Sequence, residues 1–171
     1  MTPLDHALQY ARHELAVFPV HWIDAGRCSC GSDECRSPGK HPLTAGGCKD
    51  ASTDPETISQ WWAVWPMANI AIATGEASGV FVLDIDVAEG KNGEVSLAAL
   101  EAEIGQIPRS AVVRTGSGGW HIYMKLPDLS IRNSASKIGQ HIDVRGNGGY
   151  VVAPPSIHQS GNHYVWESAN V

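Results

Sequence analysis

A chain of 171 residues with 43% hydrophobic content can bury a substantial core, and this ordinary composition excludes a disordered or fibrous protein. The formal net charge of −6 excludes a surface that grips nucleic acid everywhere, because phosphate binding draws on clustered Lys and Arg, but it leaves room for a local basic groove. No apolar run approaches the roughly 18 residues of a membrane span, and the N-terminus lacks the basic and apolar regions of a signal peptide. A soluble, cytoplasmic protein with no membrane partner is expected.

Thr2-Pro3-Leu4-Asp5 reads as a capped helix start, with Pro at the first helical position and Asp5 reaching back. Leu4, Ala7, Leu8 and Ala11 share the apolar face of that helix. A short strand over 16–20 follows. Residues 24–47 are poor in apolar side chains and dense in Gly, Cys, Ser and Pro, so they cannot build a core of their own. Four cysteines could form disulfides in an exported protein, whereas a cytosolic setting favours thiolate metal ligands. Cys28, Cys30, Cys35 and His41 read C-x-C-x4-C-x5-H, a set suited to tetrahedral structural Zn²⁺, with Cys48 as the competing fourth ligand and a reduced, unliganded cluster as the bland alternative. The zinc-binding loop is expected over about 24–48.

Asp54-Pro55-Glu56 starts a second helix on which Ile58, Trp61, Trp62 and Trp65 recur up to the breaker Pro66. That stripe fits core packing better than a base-stacking platform. Strands are expected over 69–74 and 80–86, joined by a Gly-containing turn that suits a hairpin. A helix over 93–104 would carry Leu97, Leu100 and Ile104 on one face. Further strands are expected over 111–115, 119–125, 142–145, 150–153 and 163–166. The pattern is that of one α/β or α+β domain over 1–171 with mostly antiparallel strands, without internal repeat or linker.

Three segments carry chemistry. Val80-Phe81-Val82-Leu83-Asp84-Ile85-Asp86 ends an apolar strand with two carboxylates at i and i+2, hence on one face. Such a pair repels itself unless a cation intervenes, and Mg²⁺ or Mn²⁺ takes oxygen ligands of this kind; a solvated strand end is the simpler reading. Arg114-Thr115-Gly116-Ser117-Gly118-Gly119-Trp120-His121 places glycines and a serine between two strands, where backbone N–H groups can meet an anion, or where a plain hairpin turns. It is no Walker loop, since no Gly-Lys-Ser/Thr ends it. In Ile142-Asp143-Val144-Arg145-Gly146, Asp143 and Arg145 share one strand face, either as a weak surface ion pair or as a third metal-facing carboxylate beside an arginine for a triphosphate.

Together, Asp84, Asp86, His121 and Asp143 at successive strand ends resemble the three motifs of the archaeo-eukaryotic primase superfamily, most closely the bifunctional primase-polymerase (prim-pol) domains of phage and plasmid replication proteins. Lys49-Asp50-Ala51-Ser52-Thr53-Asp54-Pro55, Asn69-Ile70-Ala71-Ile72-Ala73-Thr74-Gly75 and Gly148-Gly149-Tyr150-Val151-Val152-Ala153-Pro154-Pro155-Ser156 look like further stretches of that family, in the expected order over nearly the whole chain. The resemblance implies an RRM-like, mostly antiparallel sheet flanked by an N-terminal α/β unit, acting as a template-directed DNA primase/polymerase, a nucleotidyltransferase. It implies Asp84, Asp86 and Asp143 as ligands of two Mg²⁺ or Mn²⁺ ions, and His121 as a catalytic, nucleotide-contacting residue. Nucleotide contacts from Arg114, Ser117, Gly118, Gly119 and Arg145 follow, with Lys40 of Gly39-Lys40-His41-Pro42 as another.

The motif departs from its relatives at Gly119, where Ser or Thr commonly stands two residues before the histidine, so a hydroxyl contact falls to Ser117 or is replaced by backbone. Implied partners are a single-stranded DNA template and primer, and dNTPs or rNTPs. The end at Val171 is expected to mark a piece of a longer protein of a phage or plasmid in a bacterial host, with helical accessory and helicase domains. A metal-dependent nuclease or nucleotide hydrolase, and an inactive zinc-bearing nucleic-acid-binding module, are the alternatives.

Overall fold

The computed structural model describes residues 1–88 and 90–169. It is a mixed α/β chain. Helix α1, Pro3–Arg12, begins with the expected capping box: the Asp5 N–H donates to the Thr2 hydroxyl, and the Thr2 N–H donates to the Asp5 carboxylate at 2.7 Å. The chain continues through β1 (Val17–Val20), β2 (Ile23–Asp24), β3 (Arg27–Cys28), α2 (Pro55–Val64), β4 (Asn69–Ala73), β5 (Val80–Ile85), α3 (Gly93–Ile104), β6 (Ala111–Arg114), β7 (Trp120–Lys125), β8 (Ile142–Arg145), β9 (Tyr150–Ala153) and β10 (Val165–Ala169). No described helix is long and apolar enough to cross a membrane.

The strands form a three-stranded sheet, β1-β4-β9, a five-stranded sheet, β10-β6-β7-β5-β8, and the β2-β3 hairpin inside the cysteine-rich loop. All pairings are antiparallel. The expected hairpin over 69–86 is corrected: β4 and β5 lie in different sheets, joined only by a bridge in which the Gly75 N–H donates to the Val80 carbonyl. Every residue of β4 is buried. A strand covered on both faces takes the centre of a sheet and needs partners on both edges, and β1 and β9 supply them.

Alternation along the five-stranded sheet divides its faces. Val80, Val82, Val113 and Tyr123 join a large core with β1, β4, β9, α1 and α2. Leu83, Ile85, Val112, Ile122 and Ile142 point the other way, into a second core closed by Leu97 of α3. Ile104, the last residue of α3 and expected on that apolar face, is 65% exposed. The tryptophan stripe is core packing: Ile58 and Trp62 are buried, Trp61 and Trp65 pack around them, and Trp62 Nε1 donates to the Ala68 carbonyl.

After β9 the loop 154–163 returns beneath the turn between β6 and β7. There the His158 ring is buried beside Tyr164, and Ser160 and Asn162 donate to the Gly116 carbonyl at 2.8 and 3.1 Å. Burial disfavours the imidazolium and pushes the His158 pKa down to about 4.

Truncating Trp62 to Ala removes a buried indole and its hydrogen bond, and the expected loss is about 3–5 kcal/mol in urea unfolding. The His158 shift has a definite sign: the unfolded ring takes up its proton near 6.5 and the folded ring near 4, so stability is lost as pH falls through that window. His158→Gln is expected to give a shallower decline in unfolding free energy between those pH values than the unsubstituted chain, read by denaturant titration at each pH.

Candidate active site and metal centre

Register builds the site. Asp84 of β5 lies opposite His121 of β7 on one side and opposite Asp143 of β8 on the other. Asp86, two residues on, projects to the same side just beyond the strand end, and its N–H continues the ladder by donating to the His141 carbonyl. Arg145 Nη2 donates to Asp84 Oδ2 and to Asp143 Oδ2, both at 3.0 Å, so carboxylates from two neighbouring strands converge on one positive centre. The second Asp143 oxygen accepts from the Ser136 N–H. Lys91, reaching back from the segment before α3, donates to Asp86 Oδ2 at 2.7 Å, and the carboxylate holds its ammonium pKa above the ordinary value.

His121 is buried, with Nε2 3.5 Å from Asp84 Oδ1. Burial lowers its pKa, only partly opposed by Asp84, so the ring is neutral at physiological pH. Its Nδ1 has no hydrogen-bond partner among the described residues. An unsatisfied buried nitrogen costs about 1–3 kcal/mol, a cost that proteins commonly retain at functional positions.

Most of these groups edge a cleft of about 470 Å³; Asp143, bonded to Arg145, is not among the residues that line it. Asp84, Asp86, His121, Arg145, Ser117 and Lys40 all line it. Gly118 and Gly119 shape the turn beside it: a Cβ on Gly119 would lie 2.1 Å from the Ile85 carbonyl oxygen, so only glycine lets the turn close onto β5. Lys40 is half-buried, and no carboxylate of the described residues forms a salt bridge with it. Burial lowers its pKa while Asp84 and Asp86 oppose the shift.

Arg114 is not brought into this cleft. It sits one residue out of phase with Val113, on the α3 side of the sheet, where it pairs with Glu167 and lies 5.1 Å from the centre of the Trp120 ring. Sequence reasoning missed Lys91, Tyr164 and Asn133, which also line the cleft. Lys91 lies only five residues beyond Asp86, and an oppositely charged residue so close to a paired-carboxylate strand end was the available signal. Tyr164 and Asn133 arrive through long-range packing that no local pattern reports.

The cysteine-rich loop forms a second centre. Ligand atoms of Cys28, Cys30, Cys35 and His41 lie within 4.8 Å of one another. His41 Nε2 is 3.4 Å from Cys28 Sγ and 3.5 Å from Cys35 Sγ. Tetrahedral zinc with usual Zn–S and Zn–N bonds separates its sulfur and nitrogen ligands by about 3.5 Å, so the set can hold zinc. Burial opposes ionisation of Cys28, but N–H donors from Cys30 and Gly39 and the His41 ring outweigh it and bring the thiol down to about 6, towards the thiolate that a metal needs. Cys48 stands apart and donates its S–H to the Gly148 carbonyl. Of the two candidates for fourth ligand, His41 is the one within the cluster.

Compared with known proteins, the chain matches the family model described as bifunctional DNA primase/polymerase, N-terminal, over residues 7–170. No curated protein matches it. A match across nearly the whole chain, on a mixed α/β fold with antiparallel sheets, places this protein in the Prim-Pol family of bifunctional DNA primase/polymerase N-terminal domains.

Proposed function

We propose that this domain is a template-directed DNA primase/polymerase that joins nucleotides by metal-assisted nucleotidyl transfer at the Asp84–Asp86–Asp143 cleft, in replication of phage or plasmid DNA. Family membership supports a nucleotidyltransferase of the primase/polymerase type in general. The observation that carries the finer reading is the convergence of Asp84 and Asp143 on one positive centre, with Asp86 and His121 beside it in the same cleft.

All three aspartates offer hard oxygen donors, which fit Mg²⁺ or Mn²⁺. Two such ions, when bound, lower the pKa of the attacking 3′-hydroxyl and neutralise charge on the α-phosphate and the departing pyrophosphate. The chain supplies position and charge, and no protein nucleophile is required. Arg145 and Lys40 bring two cations to the triphosphate. Neutral His121 offers an N–H to a phosphate oxygen without adding a buried charge. The turn over 116–119 lets backbone N–H groups and the Ser117 hydroxyl approach, and the primer and single-stranded template enter through the open side of the cleft. Zn²⁺ in the Cys28–Cys30–Cys35–His41 cluster is structural in this reading.

The test is primer extension with Mg²⁺ or Mn²⁺. Asp84→Asn and Asp86→Asn are each expected to reduce extension by more than about 10²-fold, the scale of losing one electrostatic stabiliser of a transition state, while DNA binding persists. Absence of extension by the unsubstituted domain, or phosphodiester hydrolysis in its place, would reject the polymerase reading. A second comparison separates the two arginines. Arg145→Ala is expected to weaken dNTP binding about tenfold or more, as loss of a charge-assisted phosphate contact does. Arg114→Ala, on the other face, is expected to stay within about threefold, as removal of an exposed ion pair does. Equilibrium titration with a labelled dNTP reads both.

A further inference from the structure

The metal cluster and the nucleotide cleft are built from one short stretch of chain. Between the last cysteine ligand, Cys35, and His41 lie only residues 36–40, and two of them, Ser37 and Lys40, line the cleft with Asp84 and Asp86. Both ends of this segment are therefore ligands of a single tetrahedral site, while its middle faces the proposed triphosphate.

Little else holds the segment. Among the described residues between Val20 and Ile58, Cys28 is the only buried apolar side chain; Trp22, Leu43 and Cys48 pack partly buried against the large core, but none of them lies within residues 36–40. What remains is a few hydrogen bonds. Asn69 Nδ2 donates to the Gly39 carbonyl at 2.9 Å, Tyr150 donates its hydroxyl hydrogen to the Lys40 carbonyl at 3.1 Å, and the His21 N–H donates to the His41 carbonyl. Each contributes about 1 kcal/mol net, less than the entropy of ordering a residue or two. The Gly39 N–H points at the Cys28 sulfur, 3.4 Å away, so the turn that aims Lys40 is itself bonded to a metal ligand. Gly39 has φ +71°, and a Cβ there would lie 3.0 Å from Ile23, so the turn admits no bulkier residue without strain.

We propose that zinc bound by Cys28, Cys30, Cys35 and His41 positions Lys40 and Ser37 for the nucleotide, so that zinc occupancy and nucleotide affinity are energetically linked. This rests on the nucleotidyl-transfer reading. The ligands are positioning residues, acting through residues 36–40, and Lys40 is the group that touches phosphate. Linkage is reciprocal: if zinc raises nucleotide affinity, nucleotide must tighten zinc by the same factor.

The experiment uses the zinc-loaded domain without DNA, with dATP and Mg²⁺ as the probe. Zinc transfer to a chromogenic chelator that leaves Mg²⁺ in place is followed alongside dATP binding. Saturating dATP is expected to lower the fraction of zinc lost at a fixed chelator concentration, with a coupling factor of about tenfold, within the usual range for linked sites. Lys40→Ala is expected to retain one zinc per chain, to weaken dATP binding and to abolish that protection. Cys30→Ser is expected to lose zinc and to weaken dATP binding as Lys40→Ala does, the double variant adding nothing. dATP binding without protection of zinc overturns the inference and leaves the polymerase reading standing. Failure of the loaded domain to bind dATP overturns both. Should Cys30→Ser fail to fold, the protection measurement on the unsubstituted and Lys40→Ala proteins still decides.

Discussion

Like charges placed directly opposite each other on neighbouring strands repel, and β5 and β8 place Asp84 and Asp143 in that position. The register is not free to relieve the conflict. A slip of one residue would turn Leu83, Ile85, Ile142 and Val144 out of the core beneath α3, which is far costlier than the repulsion. The hydrophobic face of the sheet thus forces the acidic face together, and the polar face must bring in positive charge. Arg145 does so from the same strand as Asp143, Lys91 from the segment leading into α3, and Lys40 from the cysteine-rich loop. Two carboxylates of the cleft, Asp84 and Asp86, meet three cations there, with Asp143 bonded to Arg145 beside it, so the cleft does not share the acidity of the whole chain.

A locally cationic cleft of this kind is compatible with the proposed nucleotide chemistry on a chain of net charge −6. In the proposed reading, a triphosphate accompanied by divalent ions would arrive almost charge-matched, so the cleft would need movable cations more than a large positive field. Arg145 and Lys91 are each bound to a carboxylate that, in the proposed reading, a metal would also bind, so both would then be free to turn towards phosphate. His121 cannot play that part. Its burial keeps it neutral, which in the proposed reading would suit a hydrogen-bond donor that does not compete with metal for Asp84.

Much of this was legible in the sequence because it follows from local periodicity. Alternation put Asp84 with Asp86 and Asp143 with Arg145, and the boundaries of β8 and β9 fall where the pattern placed them. The Cys and His spacing singled out the cluster before any fold was known, because a loop without apolar residues needs another source of order. What local pattern could not report was which strands pair. The chain reads 69–86 as a hairpin because a glycine turn joins two apolar runs, yet burial of β4 on both faces sends those runs to different sheets. Arg114 lies away from the cleft for a related reason. Proximity to the glycine-rich turn suggested the cleft, whereas the two-residue period assigns it to the face opposite His121.

The two-sheet division is also what makes the cysteine-rich loop consequential. Because β1 and β4 belong to the smaller sheet, the excursion that leaves β1 emerges at the margin of the cleft rather than behind it. Asn69 at the start of β4 contacts that excursion by donating to the Gly39 carbonyl and also donates to the Ile157 carbonyl, in the loop that carries His158 under Gly116. One buried amide therefore ties the lysine-bearing turn to the support of the glycine-rich turn on the far side of the site. With the lysine-bearing turn and the support of the glycine-rich turn bonded to the same side chain, Lys40 and the 116–119 backbone share one reference point in the core, to which the metal-binding loop is added. A cleft whose opposing walls are held to one anchor can be pre-organised for a single ligand even where its walls lack regular secondary structure.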